Sequence, residues 1–161
     1  MLKTRIPPPL YMLAAGYAMD KTDHYLVLPI DPAIAQWGWL PALLGGVLLV
    51  WAGVTFWRAH TTINPLVPSK ASHLVTHGPF RWTRNPMYLA LALMLAGWAL
   101  WLGNAVSFLG VPVFVLVVTV LQIVPEERVL QEHFGEEYMR YRDRVNRWFG
   151  PLRGRWSTRG F

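Results

Sequence analysis

Runs of apolar residues separated by short polar or turn-forming stretches organise most of this chain. Pro32 to Trp57, Asn85 to Gly103 and Asn104 to Pro125 contain no charged side chain. Each comes near the roughly 20 residues that a helix needs to cross the hydrocarbon core of a bilayer. A further run, Ile6 to Met19, is shorter and spans only by tilting, by local thinning or by using its flanks. Between the last two runs Gly103-Asn104 leaves room for a turn and nothing more, which predicts an antiparallel hairpin. Beyond Pro125 the periodicity changes. Leu130, Phe134, Tyr138, Tyr141, Val145 and Trp148 recur at steps of three or four and form one apolar stripe, with charge elsewhere. The pattern predicts an all-α integral membrane protein with about four transmembrane helices over 6–22, 36–58, 85–103 and 104–125. A C-terminal amphipathic cytoplasmic helix over 126–149 would lie on the membrane face or fold back over the loop before the third span. The chain, 1–161, reads as a single domain.

Local signals support these boundaries. Pro7, Pro8 and Pro9 can open the first helix, where missing amide donors do no harm. Asn85 offers a capping side chain, and Pro86 suits the first turn of a helix. Gly45, Gly46, Ala52 and Gly53 would let a neighbouring helix approach the second span closely. Trp37, Trp39, Trp51 and Trp57 gather toward its two ends, as interfacial aromatics do.

Composition agrees, since 53% of residues are hydrophobic, 15% are charged and nine are Trp, too apolar for an ordinary soluble domain. Of the 15 Lys and Arg, all but Lys21 fall on one side of the proposed spans. Cytoplasmic loops collect such residues, which places both termini in the cytoplasm and reads best as a bacterial inner-membrane protein. Lys3 and Arg5 before a short apolar run also fit a signal sequence, but the proline triplet stands where its apolar core should begin. The net charge of +6 is explained by the inside loops facing anionic lipid, so no nucleic acid is expected as a partner. The chain has no cysteine, which excludes thiolate chemistry and disulfides. His73 and His77 are four apart but lie in a Pro/Gly-punctuated loop without carboxylates nearby, so no metal site is expected.

Two stretches could carry chemistry. In the first, His73 to Phe80 leads into Arg81, Arg84 and the Asn85-Pro86 helix start. A helix N-terminus reinforced by Arg84 can hold a carboxylate or phosphate. Phe80, Trp82 and Tyr88 offer flat faces to a base or a cation. The same residues also fit a plain positive-inside loop with interfacial aromatics. In the second, Glu126 and Glu127 stand at the cytoplasmic end of the fourth span, returned by the hairpin to the depth of Asn85 and Tyr88. Their carboxylates can accept hydrogen bonds from ribose hydroxyls or an ammonium group, or they simply open the amphipathic helix, where acids are favourable. Gln122, one turn above Glu126, faces either a substrate cavity or a neighbouring helix.

Together these residues resemble the isoprenylcysteine carboxyl methyltransferase family, which is similar in turn to the phospholipid N-methyltransferases. The resemblance covers Thr61 to Trp148 and rests on HLVTHGPFRWTRNPMY, His73 to Tyr88, and PEERVLQEHFGEEYMRYRDRV, Pro125 to Val145. The proline triplet and TTINPLVPSK, Thr61 to Lys70, also look like the short bacterial members. The resemblance implies methyl transfer from S-adenosyl-L-methionine to a lipid or apolar small-molecule acceptor, with the cofactor-binding part at 61–148. It implies cofactor contacts at His73, Leu74, Val75, Phe80, Asn85, Pro86, Tyr88 and Glu126, to which the helix-start argument adds Arg84. Gln122 stands where the eukaryotic prenylcysteine enzymes have a substrate-contacting arginine, and Asn85 where they have histidine. Both are departures, so the cofactor pocket is supported better than a prenylcysteine substrate. A thiol or ammonium acceptor would need a general base, for which His77 and Glu127 are the candidates. Two other readings stay open: a membrane reductase of sterol-reductase-like fold using NADPH, and a non-enzymatic membrane subunit. The chain is short for the first and lacks a spare cluster for the second half of a dinucleotide. A homodimer through the small-residue faces is also open.

Overall fold

A computed structural model describes residues 6–59 and 73–150, and its described residues are helical with no β-strand. The loop segment Thr61 to Lys70 lies outside the described residues. Helix α1 (Pro8–Thr22) starts on the proline triplet and ends where the Thr22 hydroxyl donates back to the Ala18 carbonyl at 2.9 Å. Helix α2 (Pro32–Arg58) begins before the expected span of 36–58, because Asp31 caps it by accepting from the Ala33 amide at 2.8 Å and Pro32 fits its first turn. Helix α3 (Pro86–Leu102) ends at Gly103, whose left-handed φ of 70° suits a residue without Cβ. Helix α4 (Ala105–Phe134) follows at once, with the Asn104 side chain accepting from the Val106 amide at 3.1 Å.

Two of these helices, α2 with 27 residues and α4 with 30, are long and apolar enough to cross a membrane; α3 is a shorter apolar helix. Their outward faces stay apolar. Leu43, Val47 and Val50 on α2, and Leu109, Val113, Leu116 and Val120 on α4, are all exposed. Such a surface suits lipid and is unfavourable in water.

Helix α3 is the centre of the bundle and packs against α1, α2 and α4. Its approach to α2 depends on missing side chains. A Cβ on Gly97 would stand 2.6 Å from the Gly38 carbonyl oxygen, and one on Gly45 would stand 2.6 Å from that of Ala90. Gly46 and Gly53, also expected to admit a neighbour, have nothing within 4 Å. At the far end of the hairpin, buried Asn104 accepts from the Leu28 amide at 3.0 Å and donates to the Leu26 carbonyl at 2.8 Å. It thereby ties the α3–α4 turn to the α1–α2 connection.

The structure corrects the C-terminal part of the sequence reading. Helix α4 does not stop at Pro125. Thr119–Ile123 forms a π-turn in which the Val124 amide bonds the Thr119 carbonyl, five residues back. The wider turn accommodates a proline that lacks an amide hydrogen and would crowd the preceding turn of a regular helix. Nor is 126–149 one helix. Gly135, at φ 51°, breaks it, and α5 (Glu136–Arg142) is short before the chain turns through 143–150. The apolar stripe holds despite the break. Leu130, Phe134, Tyr138, Tyr141 and Val145 pack with Ala52, Phe56, Val75 and Phe80, and Trp148 packs on the bundle core with Tyr88. The C-terminal segment thus folds back over the 73–85 loop.

Candidate active site

The site is assembled where the hairpin returns α4 to the start of α3. Neighbouring positions on a helix point about 100° apart, so Glu126 and Glu127 take different partners. The buried Tyr88 hydroxyl donates to Glu126 Oε1 at 2.8 Å. Glu127 instead joins two arginines. Its Oε1 lies 3.0 Å from Arg84 Nη1, and Arg147 engages both its oxygens, Nε to Oε1 at 3.0 Å and Nη2 to Oε2 at 2.7 Å. This triad keeps one net positive charge beside the N-terminus of α3, a favourable setting for an anion.

Arg84 is 10% exposed at its side chain, and its Nη1 also donates to the Tyr138 hydroxyl at 3.2 Å. Its Nε is buried and has no hydrogen-bond partner among the described residues. The Tyr138 phenol is pushed up from its ordinary value, first by burial and then by the charge of Glu127; Tyr141 is pushed up further, again chiefly by desolvation. Tyr141 donates to the Phe80 carbonyl at 2.8 Å. Arg147 is held more firmly protonated by its hydrogen bonds to Glu127.

The C-terminal turn closes over the start of α3. The Arg84 amide donates to the Asn146 carbonyl, and both the Thr83 hydroxyl and Asn85 Nδ2 donate to the Arg147 carbonyl at 3.0 Å. Asn85 therefore occupies the cap position of α3, but its side chain makes no capping bond there. It shares the Arg147 carbonyl with Thr83 instead, and so secures the C-terminal turn.

The remaining expected residues divide by burial. Val75 and Phe80 are buried in the apolar cluster under α5, with Phe80 edge-on to Phe56 at a ring separation of 4.9 Å. Leu74 packs against that cluster, and Pro86 is buried at the start of α3. His73 and His77 are exposed, and among the described residues their imidazoles make no hydrogen bond. Gly78, between His77 and Pro79, has φ 61° and lies so close to Thr55 that a Cβ would stand 2.9 Å from its hydroxyl, which pins the loop to α2. Gln122 is buried in the π-turn, where Nε2 donates to the Ile6 carbonyl at 2.8 Å. No group of His, Asp and Glu residues that could hold a metal occurs among the described residues. Sequence reasoning misses Arg147 and the Tyr138 hydroxyl. Arg147 is one of many arginines in its segment, and Tyr138 gives no signal beyond its place in the apolar stripe.

Residues 34–137, which carry the α2–α4 core together with the Tyr88–Glu126 and Arg84–Glu127 pairs, match the family described as phospholipid methyltransferase. The chain belongs to that family. It is 26% identical over 142 residues to a probable protein-S-isoprenylcysteine O-methyltransferase of Oryza sativa subsp. indica, covering 84% of this chain and 73% of the relative. It is 33% identical over 129 residues to the protein-S-isoprenylcysteine O-methyltransferase of Rattus norvegicus, covering 71% of this chain and 42% of the relative. A shorter match, 52% identical over 62 residues, covers 38% of this chain and 98% of an uncharacterized protein of Haemophilus influenzae. No solved structure gives a significant match. Family membership and the two membrane-length helices together support a membrane methyltransferase. In the phospholipid methyltransferase setting, the paired cassettes offer one cationic pole and one carboxylate held by a phenol.

Proposed function

We propose that this chain transfers a methyl group from S-adenosylmethionine, taken from the cytosol, to an apolar or amphiphilic acceptor taken from the bilayer. The observation that carries the reading is the 2.8 Å bond from Tyr88 to Glu126, which joins two sequence cassettes 38 residues apart at one end of the bundle. The residues there fit the cofactor's polar groups. The Nε–H of Arg84, which has no partner among the described residues and lies beside the start of α3, suits a carboxylate, and Glu126 suits ribose hydroxyls or an ammonium group. When bound, S-adenosylmethionine supplies a methyl on a sulfonium, which passes to an acceptor lone pair as the carbon–sulfur electron pair returns to sulfur.

The protein's part is then orientation and exclusion of water. Tyr88 holds the Glu126 carboxylate, and Glu127 fixes Arg84 through its pairing with Arg147. With both oxygens engaged, Glu127 serves better as a positioning group than as a base. Exposed His77 is the candidate to take a proton from an acceptor that releases one. Four spans with both termini cytoplasmic, in a bacterial inner membrane, complete this reading. Helix α1, 15 residues and so about 22 Å long, spans only with its flanks. No observation favours a nicotinamide reductase or a non-enzymatic subunit. Binding of S-adenosylhomocysteine to the purified protein tests the proposal.

A further inference from the structure

At the end of the bundle away from the Tyr88–Glu126 bond, the connection between α1 and α2 carries four consecutive apolar residues, Tyr25-Leu26-Val27-Leu28. Tyr25 is 89% exposed, each of the other three is more than half exposed, and none joins the apolar clusters of the bundle. A run of four such side chains is unfavourable in water. The main chain of the same turn is bonded to protein instead. The Tyr25 amide donates to the Thr22 carbonyl at 3.1 Å, and the Leu28 amide to Asn104 Oδ1 at 3.0 Å. The Leu26 carbonyl accepts from Asn104 Nδ2, and the Leu28 carbonyl from the Ala105 amide, both at 2.8 Å. Pro29 has no amide hydrogen, and the Ile30 amide donates to the Gly103 carbonyl at 2.7 Å. An apolar medium offers main-chain groups no partner, so irregular backbone is tolerated there only where the protein itself supplies them. Buried Asn104 and the hairpin turn supply them here.

Two tryptophans mark the level of this turn. A Cβ on Gly38 would stand 3.0 Å from the Trp101 amide, so Trp37 and Trp101 lie at one height, and both are exposed as aromatics at a bilayer boundary are. We infer that the Tyr25–Leu28 turn is a membrane anchor whose side chains enter the acyl-chain boundary of the leaflet farther from the candidate active site. The occupant of this surface is lipid, because the turn continues the apolar exposed face that includes Leu109 and Val113 on α4. Asp23 and His24 before it and Asp31 after it hold the turn at the boundary rather than deeper. The anchor steadies α1, a helix of 15 residues that fully buries only Met19. The inference rests on the membrane reading of the chain and not on methyl transfer.

The chain has no cysteine, so single labelling sites can be introduced directly. The experiment places a nitroxide at Tyr25→Cys, at Val27→Cys and, as the lipid-facing reference, at Val113→Cys, in full-length protein reconstituted into phosphatidylcholine nanodiscs. Power saturation then compares collisions with oxygen, which concentrates among acyl chains, and with a water-soluble nickel chelate. The expected result is an oxygen rate at least about threefold above the nickel rate at both turn sites, as at Val113. A nickel rate equal to or above the oxygen rate at either turn site, with Val113 protected, overturns the inference, because water then covers the turn. Low rates for both reagents at the turn also overturn it, since a second copy or another protein is then the cover. Nickel contact at Val113 as well would overturn the membrane reading together with the anchor. None of these results depends on S-adenosylhomocysteine binding, so the methyl-transfer reading stands or falls separately.

Discussion

Tyr88 donates its hydroxyl proton to Glu126 across 2.8 Å, so the first turn of α3 and the last third of α4 share one hydrogen bond. A bond to a charged group contributes about 1.5–3 kcal/mol. Tyr88→Phe keeps the ring in the bundle core but removes its hydrogen bond to the carboxylate. It is expected to weaken S-adenosylhomocysteine binding about tenfold, equivalent to about 1.4 kcal/mol, with a small change in thermal unfolding. Calorimetric titration and a melting curve on the same sample separate the two effects.

The arginine pair around Glu127 should respond unequally to mutation. Glu127→Ala leaves Arg84, 10% exposed, as an uncompensated buried charge, which costs about 3 kcal/mol. Arg147→Ala leaves Glu127 still paired to Arg84 and removes a side chain that is 36% exposed, for a cost of about 1 kcal/mol. Thermal unfolding in detergent checks the order, and an equal loss in the two variants would contradict the triad.

Two glycines test the helix packing. Gly97→Ala places a Cβ against the backbone of Gly38 and Ala42, neither of which can move without separating α2 from α3, so marked destabilisation is expected. Gly46→Ala meets nothing within 4 Å and should be neutral or stabilising by up to about 1 kcal/mol. Denaturation of the two variants side by side gives the contrast.

Alkaline pH should loosen the C-terminal segment. The phenols of Tyr138 and Tyr141 are both raised by burial in the folded protein, so the unfolded chain ionises first, near pH 10. Their contribution is complete below that value and declines above it, by up to about 1.4 kcal/mol per pH unit for each group. Tyr141→Phe loses the bond to the Phe80 carbonyl, costing about 1 kcal/mol at pH 8, but should show a shallower decline above pH 10. Melting temperatures from pH 8 to 11 measure both.

Much of the site is legible in the sequence because its determinants are local. Gly103-Asn104 dictates a hairpin, and a hairpin of two similar apolar runs returns Glu126 to the level of Tyr88. The π-turn is not legible, because Pro125 reads as a stop until an extra residue in the preceding turn relieves its clash. The break at Gly135 is hidden by an apolar stripe that continues across it. The role of Asn85 depends on the Arg147 carbonyl, more than sixty residues on, and no spacing rule reaches that far. Arg147 itself is one basic residue among many until Glu127 selects it.

The most direct test is isothermal titration of the purified full-length protein with S-adenosylhomocysteine, alongside Glu126→Ala. Saturable one-site binding to the wild-type protein is expected, with a loss of at least a hundredfold, about 2.7 kcal/mol, in the variant. Absence of binding up to about 1 mM, a free energy weaker than about 4 kcal/mol, or wild-type affinity in Glu126→Ala, would contradict it.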